Sequence, residues 1–130
     1  MKFIKLYLVI FTCITSIVKA DSDKNLISIL NNTGKLIFIR HAYAPGSGDP
    51  SNFNINDCST QRNLNNEGKK QAKKIGDFFK KNNITIAKIY SSEWCRCKET
   101  ALISFGDFET KKFLNSFYSS KFSKNKKKQI

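Results

Sequence analysis

At 130 residues, the chain has room for a single domain at most. Its formal net charge of +13 is unevenly distributed, because residues 111–130 contain seven lysines and no acidic residue. A basic run without interleaved stacking aromatics is weak evidence for nucleic-acid recognition. We therefore predict a solvated, disordered basic tail over residues 121–130 and no specific nucleic-acid partner.

The first twenty residues predict a secretory signal peptide over residues 1–20. A charged start is followed by an apolar stretch over residues 6–18 and by Val18-Lys19-Ala20, which has the pattern of a cleavage site. The apolar stretch is too short to cross a bilayer comfortably. We therefore predict export to the periplasm or the cell exterior, with no stable membrane insertion after cleavage. An uncleaved anchor remains an alternative, because Lys19 is unusual so near the cut.

A helix and a strand are predicted before the first long loop. Residues 21–32 carry apolar side chains at helical spacing and predict a short amphipathic helix. Residues 36–40 (LIFIR) form an apolar run that predicts a buried β-strand. Residues 43–63 are rich in Pro, Gly, Asn and Asp and predict a long loop. A long loop beside a strand end is usually functional or disordered.

The next segments predict a helix, a strand and a second helix. Residues 64–81 carry an apolar stripe at helical spacing behind an asparagine cap. Residues 84–90 predict the second strand, and residues 92–105 predict the second helix. The alternation predicts an α/β fold with a parallel sheet and right-handed crossovers. Two strands alone do not form a sheet that can be covered on both faces, so the architecture looks incomplete.

Arg40, His41 and Arg96 are the candidate functional residues. The carboxyl ends of parallel strands lie at one edge of a sheet, so the Arg40-His41 pair is expected to face Arg96 across a crevice. Two guanidiniums neutralise a phosphoryl group while a neutral imidazole attacks it, and nothing in this set demands a metal. The competing interpretation is that Arg96 forms a surface salt bridge to Glu93 or Glu99.

Three cysteines follow the predicted cleavage site. Because an exported chain permits disulfides, Cys58 is expected to pair with either Cys95 or Cys97. The alternative is that Cys95 and Cys97 are both buried thiols. A metal site is disfavoured, since Cys-x-Cys is not the usual zinc spacing and His41 has a better use.

Three blocks of the chain resemble the histidine phosphatase superfamily. Residues 36–42 (LIFIRHA) resemble its Arg-His-Gly signature, with Ala42 in place of the glycine. Residues 63–72 (NLNNEGKKQA) are similar to its Leu-Thr-x-x-Gly-x-x-Gln-Ala helix start. Residues 91–101 (SSEWCRCKETA) are similar to its Ser-x-x-x-Arg-Ala-x-Gln-Thr-Ala block. The blocks occur in the family's order over about residues 35–105, and together they are quite specific.

The resemblance implies a parallel-sheet, three-layer αβα phosphoglycerate mutase-like fold for a domain at residues 21–120. It implies that His41 is the nucleophile that becomes phosphohistidine, and that Arg40 and Arg96 bind the phosphoryl oxygens without a metal or cofactor. No family role is assigned to Arg62, although a phosphate contact from its loop is conceivable. The implied partner is a phosphorylated small molecule or a phosphoprotein substrate.

Departures from the family pattern limit this expectation. The family places a second histidine after a further strand, and this sequence has none after His41. We therefore expect an N-terminal part, truncated before the last strand, that is inactive or impaired alone. Residues 114–116 (LNS) stand where the mutase branch has an acid, which favours the minimal phosphatase branch. The alternatives are an inactive phosphate-binding remnant and a small basic protein that binds polyanions. The sequence does not predict the oligomeric state.

Overall fold

The computed structural model describes residues 23–32, 34–117 and 120–128. The chain divides into two compact units, residues 1–37 and residues 38–130. The predicted signal peptide lies outside the described residues. Within the described ranges, no helix has the length and apolar character needed to cross a membrane.

In the first unit, the described residues form a helix, α1, over residues 23–31. This confirms the amphipathic helix predicted at residues 21–32. Leu26 and Ile29 lie on its apolar face, and both side chains are exposed to solvent within this unit.

The second unit contains helix α2, Asn66–Lys81. Asn65 caps it, because its side-chain oxygen accepts a hydrogen bond from the Gly68 N–H at 2.9 Å. The helix buries Ala72 and Phe79 and keeps its lysines at the surface. The predicted helix over residues 64–81 is therefore confirmed, with its start two residues later than expected.

Helix α3, Cys95–Phe105, packs against α2. A Cβ atom on Gly76 would lie 2.1 Å from the carbonyl oxygen of Ser104, so the close approach of the two backbones requires glycine there. The Ser104 hydroxyl also donates a hydrogen bond to the Ala72 carbonyl at 2.8 Å. The predicted second helix is thus confirmed, and its position is fixed by direct contact with α2.

Two short strands form the sheet. Strand β1, Tyr90–Ser91, pairs in parallel with strand β2, Glu109–Thr110. The α/β class and the presence of a parallel pair agree with the prediction, but the pair is a different one. The strand predicted at residues 84–90 contributes only its last residue, and its neighbour is β2 rather than the strand predicted at residues 36–40. The described residues contain one two-stranded sheet, rather than the covered sheet of a three-layer sandwich.

The predicted buried strand over residues 36–40 is wrong. In the structure these residues have no regular secondary structure, and Leu36 and Phe38 are 85% and 83% exposed. A strand requires a neighbour for its backbone N–H and C=O groups. The two described strands pair only with each other, so the apolar run has no described partner. Apolar composition alone therefore did not determine the local structure.

The described part of the basic tail forms a 3-10 helix, Ser120–Lys128, whereas the sequence predicts disorder from residue 121. The ring of Phe122 lies 5.2 Å from the rings of Phe53 and Trp94. Those two rings are themselves stacked at 5.3 Å. Aromatic packing of Phe122 gives this segment a contact that its lysine content does not suggest.

Candidate active site

His41 is half-buried and follows the exposed segment at residues 36–40. Its Nδ1 lies 2.7 Å from the carbonyl oxygen of Ala42. A carbonyl oxygen only accepts, so Nδ1 carries the proton and the neutral ring keeps its lone pair on Nε2. Nε2 is therefore the ring nitrogen that is able to act as a nucleophile.

The surroundings of His41 favour its neutral form. Burial lowers the pKa of His41 below its ordinary value, against the opposing effect of the Ala42 carbonyl. The positive charges of Arg96, Arg62 and Arg40 lower this pKa further. The structure thus brings Arg40 and Arg96, both predicted from the sequence, within electrostatic range of a neutral imidazole.

The backbone after the histidine is held by both long helices. The Ala42 N–H donates to the Thr100 hydroxyl at 3.0 Å, and the Tyr43 N–H donates to the Gln71 side-chain oxygen at 2.7 Å. A Cβ atom on Gly68 would lie only 1.9 Å from the Tyr43 carbonyl oxygen. Helices α2 and α3 therefore fix the backbone that carries the candidate nucleophile.

Arg96 lies in the first turn of α3 and is 8% exposed. Its Nη1 donates to Asp49 Oδ1 at 2.6 Å and its Nη2 donates to Asp49 Oδ2 at 3.2 Å. Nη1 also donates to the Arg62 carbonyl at 3.3 Å, and the guanidinium lies 5.9 Å from the centre of the Trp94 ring. Arg96 is therefore held in one orientation by several independent contacts.

Asp49 accepts hydrogen bonds from more than Arg96. The Trp94 indole N–H donates to Oδ2 at 2.9 Å, and the Arg62 backbone N–H donates to Oδ1 at 3.1 Å. Burial acts to raise the pKa of the Asp49 carboxyl, but the hydrogen bonds from Arg96, Trp94 and Arg62 outweigh it and keep the pKa below its ordinary value.

The other two arginines contribute in different ways. Arg40 is exposed and acts on His41 through its charge. The Arg62 side chain donates to backbone carbonyls of the long loop, from Nε to Gly48 at 2.8 Å and from Nη1 to Ala44. Arg62 therefore braces the loop that carries Asp49.

A disulfide between Cys58 and Cys95 joins the long loop to the first residue of α3. Next to it, the Gln61 side-chain oxygen accepts a hydrogen bond from the Cys95 N–H at 2.9 Å. This settles the choice left open by the sequence: Cys95 is the partner of Cys58, and Cys97 is outside the disulfide. The loop is consequently attached one residue before Arg96.

Cys97 is a partly buried thiol, and burial raises its pKa above the ordinary value. Among the described residues, no group of three or more His, Cys, Asp and Glu side chains is arranged to hold a metal ion.

The family model of the histidine phosphatase superfamily (branch 1) matches residues 36–113, which is more than half of the chain. The chain belongs to the histidine phosphatase superfamily. The comparisons with curated proteins and with solved structures gave no significant match.

The three sequence blocks that resemble the histidine phosphatase superfamily meet in the structure. The first carries His41, the second supplies the Gln71 contact, and the third supplies Arg96 and the Thr100 contact. The blocks are separated along the chain but hold and surround the same short segment. The roles of Arg40, His41 and Arg96 toward a phosphoryl group remain predictions.

Sequence reasoning missed Asp49 and Asn115. Asp49 stands between Gly48 and Pro50, where a single sequence indicates only a turn, and its partner Arg96 is 47 residues away. The Asn115 amide accepts from the Glu93 backbone N–H at 2.9 Å and donates to the Glu93 carboxylate at 2.6 Å. Asn115 therefore anchors the segment just before α3 in place of a side-chain cap.

The competing interpretation of Arg96 as a surface salt-bridge residue is wrong. Glu93 is bound by the Asn115 amide, and Glu99 pairs with Lys69 at 3.0 Å. Arg96 is buried and pairs with Asp49 instead.

Proposed function

We propose that this chain binds a phosphoryl group beside His41 and that, in the active enzyme, the group is transferred to His41 Nε2 and then to water. The observation that carries the proposal is the state of His41. Its ring is half-buried and favoured in the neutral form, with the lone pair on Nε2 and three arginine charges acting on it. Such a nucleophile suits an anionic phosphoryl donor.

The proposed reaction has two steps. The Nε2 lone pair forms a bond to phosphorus while the bond from phosphorus to the leaving oxygen or nitrogen breaks, and the leaving group takes a proton from solvent. A water molecule then attacks phosphorus, the phosphorus–nitrogen bond breaks, and inorganic phosphate is released. Arg40 and Arg96 neutralise the charge on the phosphoryl oxygens in both steps.

The proposed substrate class is a phosphorylated small molecule or a phosphoprotein, hydrolysed without a metal or cofactor. We place the reaction outside the cytoplasm, because the Cys58–Cys95 disulfide is typical of proteins in oxidising compartments and residues 1–20 have the pattern of a signal peptide. We also propose the three-layer phosphoglycerate mutase-like fold for the whole active domain, on the basis of family membership.

A second candidate function is phosphate binding without turnover. The sequence contains a single histidine, and the family pattern described above uses two. If this second function is correct, the chain binds phosphate through its arginines and forms no phosphoenzyme. The interpretation as an N-terminal part of a longer phosphatase remains a prediction. It is tested by reading the nucleotide sequence beyond the codon for Ile130 in all three frames for a strand followed by a histidine.

The test of the proposed function is detection of phosphohistidine. The chain is incubated with radiolabelled phosphoramidate, to detect label bound to the protein. Separately, it is incubated with a chromogenic aryl phosphate, to measure hydrolysis. We expect protein-bound label that is lost in acid and retained in base, because that stability distinguishes a phosphoramidate on histidine from a phosphoester on serine or threonine.

Two variants control this experiment. His41→Asn removes the only imidazole of the chain and is expected to abolish the label. Lys74→Ala, a change at an exposed position of α2, is expected to leave it unchanged. Label that persists in a folded His41→Asn variant would refute the proposal. Phosphate binding without label would favour the second candidate function.

A further inference from the structure

The guanidinium of Arg96 uses its N–H groups unequally. Both hydrogens of Nη1 have acceptors, in Asp49 Oδ1 at 2.6 Å and in the Arg62 carbonyl at 3.3 Å. Nη2 donates to Asp49 Oδ2 at 3.2 Å, which leaves its second hydrogen for another acceptor. Nε is buried and has no hydrogen-bond partner among the described residues. The unsatisfied donors of Arg96 therefore lie along one edge of the group.

The contacts of Arg96 occupy one edge of its guanidinium and leave another edge without acceptors in the described part of the chain. A guanidinium presents an end edge, formed by Nη1 and Nη2, and a side edge, formed by Nε and Nη2, and either edge matches a pair of oxygens in a carboxylate or phosphate. Asp49 takes the end edge of Arg96. The side edge contains the buried Nε–H, and a buried donor without an acceptor is costly enough that it usually indicates a missing partner.

We propose that Asp49 is a positioning residue: it holds the end edge of Arg96 so that the side edge, Nε and Nη2, remains directed to two oxygens of a phosphoryl group. This inference rests on the proposed function, in which Arg96 binds the phosphoryl group. Asp49 itself does not contact the substrate.

The opposite role for Asp49 is that of a competitor, a carboxylate that occupies the place of the phosphoryl group and leaves when it binds. The contacts of Asp49 favour positioning. The Trp94 indole N–H and the Arg62 backbone N–H hold the carboxylate independently of Arg96, at 2.9 Å and 3.1 Å. A carboxylate with two further donors acts as a fixed template for the guanidinium, rather than as a loosely bound substitute for a ligand.

The first experiment measures the affinity for inorganic phosphate by calorimetry, in the unmodified chain and in two variants. Asp49→Asn removes the charge that orients Arg96, and we expect it to weaken phosphate binding roughly tenfold, as for the loss of a charge-assisted hydrogen bond. Asp57→Asn makes the same chemical change on the same loop. Asp57 is exposed and bonds Ser59, so this control is expected to bind phosphate like the unmodified chain.

The outcomes separate this inference from the proposed function. Unchanged or tighter phosphate binding by a folded Asp49→Asn variant would overturn the positioning role alone, and tighter binding would identify Asp49 as a competitor. An unmodified chain that binds no phosphate would overturn both the positioning role and the proposed function.

The second experiment needs no substitution, so it tests the positioning role of Asp49 even if the Asp49→Asn variant does not fold. Inorganic phosphate is titrated into the isotope-labelled chain, and the N–H resonances of Arg96 Nε and of Trp94, the only tryptophan, are followed by NMR. We expect the Arg96 Nε resonance to shift and the Trp94 indole resonance to stay, because Asp49 keeps its place. Movement of the indole resonance to its position in the urea-unfolded chain would show that Asp49 is displaced and would overturn the inference.

Discussion

His41 and Asp49 are ionisable groups whose pKa values are both lowered in the fold, for different reasons. Burial and three arginines lower the pKa of His41, whereas hydrogen bonds lower the pKa of Asp49. In both cases the folded state binds a proton less readily than the unfolded state. Stability is therefore lost on acidification, first as the pH falls below the ordinary histidine pKa of about 6.5 and again below the ordinary carboxyl value of about 3.9.

The first of these windows gives a direct prediction. We expect the imidazole of His41 to titrate with a midpoint below the ordinary value of about 6.5, because burial and the charges of Arg96, Arg62 and Arg40 oppose protonation. Proton NMR measures this midpoint without ambiguity, since the chain has a single histidine. As the pH is lowered, the rate of phosphohistidine formation is expected to stay constant until the pH reaches the same midpoint, because the neutral imidazole is the nucleophile.

The chain unfolded in urea is the control for this titration and is expected to show the ordinary histidine midpoint. A folded-state midpoint equal to or above that of the unfolded chain would contradict the electrostatic description of the site.

At the scale of elements, helix α2 approaches two neighbours through its glycines. Gly68 admits the carbonyl of Tyr43, in the segment that follows His41, and Gly76 admits the carbonyl of Ser104 in α3. Alanine is the better helix former by about 1 kcal/mol, so the glycines reflect contact rather than helix propensity. The Gly68 contact supports the candidate site, and the Gly76 contact supports the packing of α2 against α3.

This division predicts different effects for the same substitution. Gly76→Ala is expected to lower the free energy of unfolding by about 1–3 kcal/mol through overpacking against Ser104, while phosphate affinity stays unchanged. Gly68→Ala places a Cβ atom 1.9 Å from the Tyr43 carbonyl, so it is expected to lower both stability and phosphate affinity. Urea denaturation and phosphate calorimetry measure the two quantities under conditions in which both variants are folded. Equal phosphate affinities in the two variants would contradict the prediction.

The elements also show what the sequence made predictable. Helix α2 was predictable because its Asn65 cap and its apolar positions lie within a few residues of one another. Helix α3 was predicted from its local sequence pattern, although the segment before it is held by Asn115, 22 residues from Glu93. The strand predicted at residues 36–40 does not form, because a strand depends on a neighbour that no local pattern reveals. For the same reason β2, only two residues long, gave no signal. In the site, Arg40, His41 and Arg96 were proposed from the predicted strand ends and helix start and again from the family motifs, but Asp49 was not, since its partners lie 45 and 47 residues away.

At the scale of the whole molecule, burial is uneven. The core of the second unit is small, formed by Ala42, Ala44, Leu64 and Ala72 with Ile103 packed against it. A groove of about 530 Å³ lies open beside α2 and α3, with an apolar lining that includes Ile84, Ile86 and Ile89. A small core gives limited stability, so a covalent crosslink has a proportionately large effect.

We therefore expect the Cys58–Cys95 disulfide to be a major source of stability. It closes a loop with a sequence separation of 37 residues, and loop-closure entropy for such a loop corresponds to about 4 kcal/mol. Cys58→Ser, or reduction by dithiothreitol, is expected to lower the free energy of unfolding by an amount of this order, as measured by urea denaturation. Cys97→Ser keeps the disulfide and serves as the control. A midpoint that is insensitive to reduction would refute this expectation.

The same crosslink has a consequence for a chain that has been cut. Helix α2 lies wholly between Cys58 and Cys95, while His41 precedes the closed loop and Arg96 follows it. Proteolysis at an exposed lysine of α2 would yield two peptides, one with the imidazole and the other with the buried guanidinium. The sulfur–sulfur bond would keep these peptides together until a reductant separates them, so a nicked molecule would run as a single species on a non-reducing gel.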